Sequence, residues 1–370
     1  MTRRNWAAIA AIGLLAIAGC SSTSGSTPKG ELVDIEDIVL TNLSGDCADY
    51  IDIYSATVSD LKLNQEFVSN VEVSDDGSAC YFSSDAIPNY DFNDDSARWA
   101  EPIAEQDLSF SLPRNPTISD SSTDLSILFY NAVMLNGVVL DQYSNGCFSP
   151  DDASADANGN IANGCGLSVD WRLNPLGTVR FGTDSHNGHT QPGGLYHYHG
   201  NPLALFDPEE TEKGSPVIGF AADGFPIYGP HFIDPTSGEM KVATSGYTLK
   251  EGSRPSGDSS PGGAYDGTYI QDYEFTNAGT LDECNGMTIN NQYGYYVSES
   301  YPYVMGCFKG TPDKSFFKFW TIAKWVFAGL VVILILIATL TTFLIRRRRR
   351  NKSRIAIQNS TTNVPHVNWS

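Results

Sequence analysis

Histidine is scarce in this chain of 370 residues, and its few copies are crowded together. Five of the six fall between positions 186 and 231. Four of these, His186, His189, His197 and His199, lie within fourteen residues in "DSHNGHTQPGGLYHYHG". A neutral imidazole nitrogen is a good ligand for borderline metals such as zinc and copper. In an extended segment alternate side chains share a face, so His197 and His199 point one way and Tyr196 and Tyr198 the other. Two imidazoles on one face can chelate one ion. Upstream, Pro192, Gly193 and Gly194 supply a reversal that folds His186 and His189, with Asp184 beside them, back over that strand. Downstream, "DGFPIYGPH" contributes Asp223 and His231. The chemistry this pattern predicts is transition-metal ligation. His197 and His199 form the strand-borne pair, His189 the third ligand, and His186 a fourth ligand or a supporting group. Asp184 and Asp223 are expected to orient the rings, and His231 is a further candidate. The tyrosines are expected to pack or hydrogen-bond rather than ligate.

A zinc ion held by three histidines with an open fourth position lowers the pKa of its bound water to about 7. A metal-dependent hydrolase or hydratase is therefore the alternative to a simple metal-binding domain. A structural or adhesion protein, with the histidines in a buried hydrogen-bond network and no metal, is the third reading. The sequence holds no Gly-x-Ser-x-Gly elbow and no His-Glu-x-x-His motif, which leaves serine hydrolases and zincins unsupported. Calcium is disfavoured: "DDASADANGNIANG" offers Asp156, Asn158 and Asn160, but Ser154 stands where the first carboxylate belongs and no glutamate closes the loop.

The elements that must position these residues read as strands. Short β-leaning runs, among them "IDIYSATV", "QEFVSNVEVS", "LSFSLP", "LSILFYNAVML", "GTVRFGT" and "VIGFAADGFPIYG", are separated by Gly, Pro, Asn and Asp. Long helical periodicity is scarce. The predicted class is mainly β: a loop-rich, disulfide-bonded single ectodomain of sandwich-like sheets, plus one C-terminal transmembrane helix. Apart from Cys20, six cysteines remain, and an even count in an oxidising compartment predicts three bridges. Pairing sequence neighbours closes the shortest loops: Cys47 with Cys80, Cys147 with Cys165, and Cys284 with Cys307. No Cys-x-x-Cys spacing occurs, which disfavours a thiolate zinc site.

The ends of the chain set its expected compartment. Residues 1–20 read as a secretory signal, or a lipoprotein signal ending at Cys20, and 21–44 as a Ser/Gly-rich stalk and domain entry. The ectodomain is expected over 45–310 and a juxtamembrane connection over 311–324. Trp325 to Ile345 is uncharged over 21 residues, long enough to span a bilayer, and a basic tail follows over 346–370. The "RRRRR" run places that tail in the cytoplasm and the ectodomain outside the cell. All 43 acidic residues precede Lys314, against 11 basic ones between Lys29 and Lys309, so nucleic acid is excluded as a partner of the ectodomain. The expected partners are the membrane and a metal ion. Asn42 in "NLS" is a candidate glycan acceptor.

"DSHNGHTQPGGLYHYHGNP", followed by "GFAADGFPIYGP", "LDECNG" and "YPYVMGCFKG", resembles the YHYH domain family, named for its tetrapeptide. "SSDAIPNY", "LPRNP" and "MLNGVVLDQYSNG" resemble the preceding blocks, so the resemblance covers about Cys47 to Gly310. It implies a secreted or surface-exposed, β-rich domain without a settled reaction. The resemblance also implies a second YHYH-like strand after the Cys-Asn-Gly block, with histidines where this chain has Met287, Gly294 and Tyr296, and another where "AIPNY" ends in Tyr90. On that pattern the first cluster is intact and the second is erased.

Overall fold

A computed structural model of the protein describes residues 32–177, 181–209, 212–319, 333–334 and 336–345. The expected signal and the basic tail lie outside these residues, and the apolar run lies partly outside them. Residues 336–345 are helical. No helix among the described residues is long and apolar enough to cross a membrane.

Two sheets organise the body. The first takes its five strands in chain order: Leu32–Asp34, Asp52–Asp60, Gln65–Asp75, Ala79–Ser84 and Leu108–Pro113. Burial alternates along Ala79–Ser84, as expected of a sheet with one face in water. The second sheet has eight shorter strands, in the spatial order Gly188–Gln191, Leu195–Tyr198, Val139–Leu140, Ala132–Met134, Val217–Ala221, Pro226–Tyr228, Gln292–Tyr296, Gly286–Ile289. All four residues of Leu195–Tyr198 are buried, because both faces of this sheet are covered. The sheets meet through Phe220, whose ring lies 6.1 Å from that of Phe82 and 5.6 Å from that of Tyr50. Cys47–Cys80, Cys147–Cys165 and Cys284–Cys307 are all bonded, the pairing expected from the shortest loops.

The packed body extends past both ends of the expected 45–310 domain. Leu32–Asp34 pairs in parallel with Asp52–Asp60, and the Asn42 carbonyl accepts from the Val217 amide. At the other end Phe316 is fully buried and stacks on Phe110, with centroids 4.4 Å apart. Ile35 and Phe316, in segments expected to be a stalk and a connection, explain the difference: they are buried and complete the core.

The eight-stranded sheet reads alike from either edge: an outer hairpin joins in parallel to an inner hairpin, and the two inner hairpins meet at the centre. The outer hairpins share a register. Gly188 faces Tyr198 and His189 faces His197 in one; Gly286 faces Tyr295 and Met287 faces Gly294 in the other. The inner hairpins turn through Gly137 and Gly224, at φ +82° and +88°. Each follows a side chain, Asn136 or Asp223, whose Oδ1 accepts from the amide two residues on. The sheet is therefore an internal repeat with pseudo-two-fold symmetry.

A Cβ on Gly137 would lie 2.3 Å from Ser84 Oγ, and one on Gly224 would lie 2.6 Å from the Pro113 carbonyl oxygen. Gly77, at φ +89°, has nothing within 4 Å of its added Cβ. In urea unfolding, Gly137→Ala and Gly224→Ala should each lose roughly 2–4 kcal/mol, combining the left-handed backbone penalty with steric overlap. Gly77→Ala should lose only the backbone share, about 1–2 kcal/mol.

Candidate metal centre

The histidine hairpin builds the site. Gly193 and Gly194, at φ +93° and +77°, make its turn, and the Gly194 amide donates to the Gln191 carbonyl at 2.9 Å. A Cβ on Gly194 would come within 2.7 Å of the Ala104 nitrogen, so this position needs glycine for space as well as for backbone conformation. With His189 opposite His197 and His199 two residues further on, pleating puts three imidazoles on one face. Their ring centroids lie 4.8, 4.7 and 4.7 Å apart.

The orientation of the rings decides the chemistry. The Nδ1 atoms of His189, His197 and His199 face the carbonyl oxygens of Phe181 (2.8 Å), Leu195 (3.3 Å) and Gln142 (3.3 Å). A carbonyl only accepts, so each Nδ1 carries the proton and each Nε2 is left with a lone pair. Those lone pairs point at one another: His199 Nε2 lies 2.9 Å from His189 Nε2 and 3.2 Å from His197 Nε2. A tetrahedral ion with metal–nitrogen bonds of about 2.0–2.1 Å holds its ligand nitrogens roughly 3.3 Å apart, close to these spacings. One ligand atom from each of His189, His197 and His199 falls within a 4.8 Å group that could hold a metal ion.

Electrostatics keep the rings neutral. His197 and His199 are each 3% exposed. Burial, then the neighbouring imidazoles, and also the Lys318 ammonium hold both far below the usual histidine range. Burial lowers His189 as well, against the opposing Phe181 carbonyl. Neutral imidazole is the ligating form.

The other four candidates stand outside this group. His186 packs its ring on Tyr90, with centroids 4.2 Å apart, and its Nδ1 is buried with no partner among the described residues. Asp184 uses Oδ1 to accept from the His186 and Gly188 amides, and Oδ2 to accept from the Tyr196 hydroxyl at 2.8 Å. It shapes the loop entering the hairpin. Asp223 lies in an inner-hairpin turn in the other half of the sheet, where Oδ2 accepts from the Tyr295 hydroxyl at 2.6 Å and from the Gly310 amide. His231 begins a separate strand, His231–Ile233. In the loop considered for calcium, Asp156 Oδ1 accepts from the Asn158 and Asn160 amides of its own turn.

The opposite face of the hairpin is a hydroxyl network. Tyr90 Oη lies 3.0 Å from Tyr196 Oη and 2.7 Å from Tyr198 Oη, and Asn136 donates to Tyr198 Oη. Tyr90 thus belongs to the tyrosine face. In the second repeat, Met287, Gly294 and Tyr296 occupy the positions of His189, His197 and His199. A Cβ on Gly294 would meet the Tyr228 ring at 2.5 Å, and Tyr228 stacks on Tyr296 at 5.0 Å. Aromatic packing fills the space where the first repeat gathers imidazoles. The carbonyls of Phe181 and Gln142, which fix two tautomers, carry no sequence signal, since every residue has one.

These features define a class: a mainly β, disulfide-bonded domain with a buried three-histidine cluster on one edge hairpin. Residues 109–310 match the family model described as YHYH protein, and the chain belongs to that family. No curated protein and no solved structure matches the chain.

Burial pushes Asp184 up to about 6 despite the donors around it. A raised carboxyl contributes stability below its unfolded value of about 3.9 and loses it as pH rises through its folded value. Relative to Asp184→Asn, the wild type should therefore lose roughly 3 kcal/mol between about pH 4 and pH 6. Denaturant unfolding of both proteins across that window checks this.

Proposed function

We propose that the protein is a membrane-anchored cell-surface YHYH-domain protein that binds one zinc or copper ion through His189, His197 and His199. The carrying observation is the convergence of three Nε2 lone pairs whose opposite ring nitrogens are committed to carbonyls. Without a cation, those lone pairs repel in a water-poor site, an arrangement that bound metal relieves. The membrane anchor and outside location rest on the sequence: the apolar run from Trp325 to Ile345, the basic residues after it, and the hydrophobic leader.

A metal-dependent hydrolase or hydratase is the second reading, and one observation favours it. A cavity of about 810 Å³ is walled by Phe181, Asp184, Arg98, Asn160 and Leu173 and meets the histidine cluster through Phe181, none of the three histidines lining it. Phe181 also holds the His189 ring through its carbonyl.

Native mass spectrometry of the full chain in detergent, with added zinc and copper, should show one ion per chain. The double variant His197→Ala, His199→Ala should show none. Bound ion should stabilise the wild type by about 2.7 kcal/mol at a free concentration of 100 times Kd, and leave the double variant unchanged. A wild-type chain that stays metal-free, with stability indifferent to chelator, would favour the purely structural reading.

A further inference from the structure

The loop that enters the histidine hairpin carries a polar atom the fold does not satisfy. Thr183 is 5% exposed, and its Oγ1 is buried without a hydrogen-bond partner among the described residues. A buried hydroxyl left unpaired is costly and calls for a partner. Thr183 lines the cavity of about 810 Å³, whose size falls in the range of roughly 300–1,000 Å³ that small organic ligands occupy.

The wall around Thr183 is fixed before any ligand arrives. The Arg98 amide donates to the Gly182 carbonyl at 2.8 Å, and the Ser185 amide donates to Asp94 Oδ2 at 3.0 Å, which ties residues 94–98 to the loop. Gly182, at φ +73°, permits this approach: a Cβ there would lie 2.5 Å from the Arg98 carbonyl oxygen. A third piece of wall comes from the loop closed by Cys147–Cys165, where the Tyr269 hydroxyl holds Asn160 at 2.6 Å. Walls pinned in this way spare a ligand the cost of ordering them.

Arg98 supplies the charge. Its Nη1 donates to the carbonyls of Asp95 and Ala97, both at 2.6 Å, which orients the guanidinium. Nε and Nη2 make no hydrogen bond among the described residues, and no carboxylate there pairs with them. A planar fork with donors to spare fits an acid group. Asp184 and Asp156 share the wall, but Asp184 has both oxygens on donors and Asp156 has Oδ1 on the amides of its own turn. In so acidic a domain the single charge of a carboxylate is favoured over a phosphate dianion. Leu173, Phe181 and Leu203 give the cavity its apolar side, and Leu203 is 45% exposed until something covers it.

We infer that this cavity is a binding site for a small carboxylic acid with an apolar body, its acid group held by Arg98 and Thr183. Gly182, bonded to Arg98, is the chain neighbour of Thr183, so the two groups border one corner of the cavity. The site stands with or without an ion at the histidines, which it meets only through Phe181.

Fluorine NMR of the full chain in detergent, with chelator present and with para-trifluoromethylbenzoate or its neutral amide as probe, tests the assignment independently of metal. The carboxylate should bind the wild type more tightly than the amide does. Arg98→Met should weaken the carboxylate roughly 10- to 100-fold and leave the amide unchanged. Thr183→Val keeps the shape and removes the hydroxyl, and should weaken the carboxylate by about 2- to 10-fold. Ala162→Trp, at an exposed position in the wall, should abolish binding of both probes, and it keeps the test open should Arg98→Met fail to fold. Equal affinity for carboxylate and amide, or a carboxylate affinity unchanged in Arg98→Met, would overturn the assignment of the charge. Binding no stronger than to detergent alone, or binding indifferent to Ala162→Trp, would overturn the site itself.

Discussion

Three imidazole lone pairs that cannot turn away from one another are the constraint on which the rest of this structure depends. Each ring is pinned from behind by a carbonyl, on Phe181, Leu195 or Gln142. The pinning is distributed over three parts of the chain, so no single local motif could produce it. It needs the hairpin for the His189–His197 pair, the parallel join to bring Gln142 alongside, and the irregular segment at Phe181 to close the third side. Burial completes the arrangement by making protonation unfavourable, which leaves the rings in the form that ligates.

The repeat shows which parts of that arrangement are scaffold and which are chemistry. Asp184 and Asp282 both accept through Oδ1 from the amides two and four residues on. Gly188 and Gly286 both lie under a tyrosine hydroxyl, from Tyr196 and Tyr293, at 2.2 and 2.1 Å from a built Cβ. These shared contacts hold the outer hairpins, and they persist in the half that has no imidazoles. The differences gather on one face, at the three histidine positions. One half of the sheet exposes nitrogen to a common point, and the other fills the same space with rings.

Much of this was legible in the sequence, for identifiable reasons. Asp52–Asp60 and Gln65–Asp75 are long and half-exposed, so their alternation survives in the residue pattern. The hairpin reversal was legible because only glycine suits a left-handed backbone against Ala104. Other features had no local signature. "LSILFYNAVML" reads as one run, yet only Ala132–Met134 within it is a strand, because the half-buried apolar residues at 127–130 continue the pattern through irregular chain. Of "GTVRFGT", residues 178–180 lie outside the described residues and 181–183 are irregular. His186 stood as a fourth ligand or a supporting group from spacing alone, but the turn capped by Asp184 sends its ring toward Tyr90. The second copy of the hairpin was legible only through the family resemblance, because it lacks the histidines that make the first conspicuous.

Phe316, seated against Phe110, has a consequence for how the molecule is made. The Tyr130 amide donates to the Phe316 carbonyl, and the Ser111 amide donates to Ser315 Oγ, so early strands are finished by residues synthesised two hundred positions later. A ribosome delivering the chain from its amino end cannot let this body close until residue 318 has emerged. Until then the edge of Leu108–Pro113 and the flank of Asp141 stay open to solvent. Closure of this flank is thereby a late step in the folding of the domain, after the strands it completes have been made.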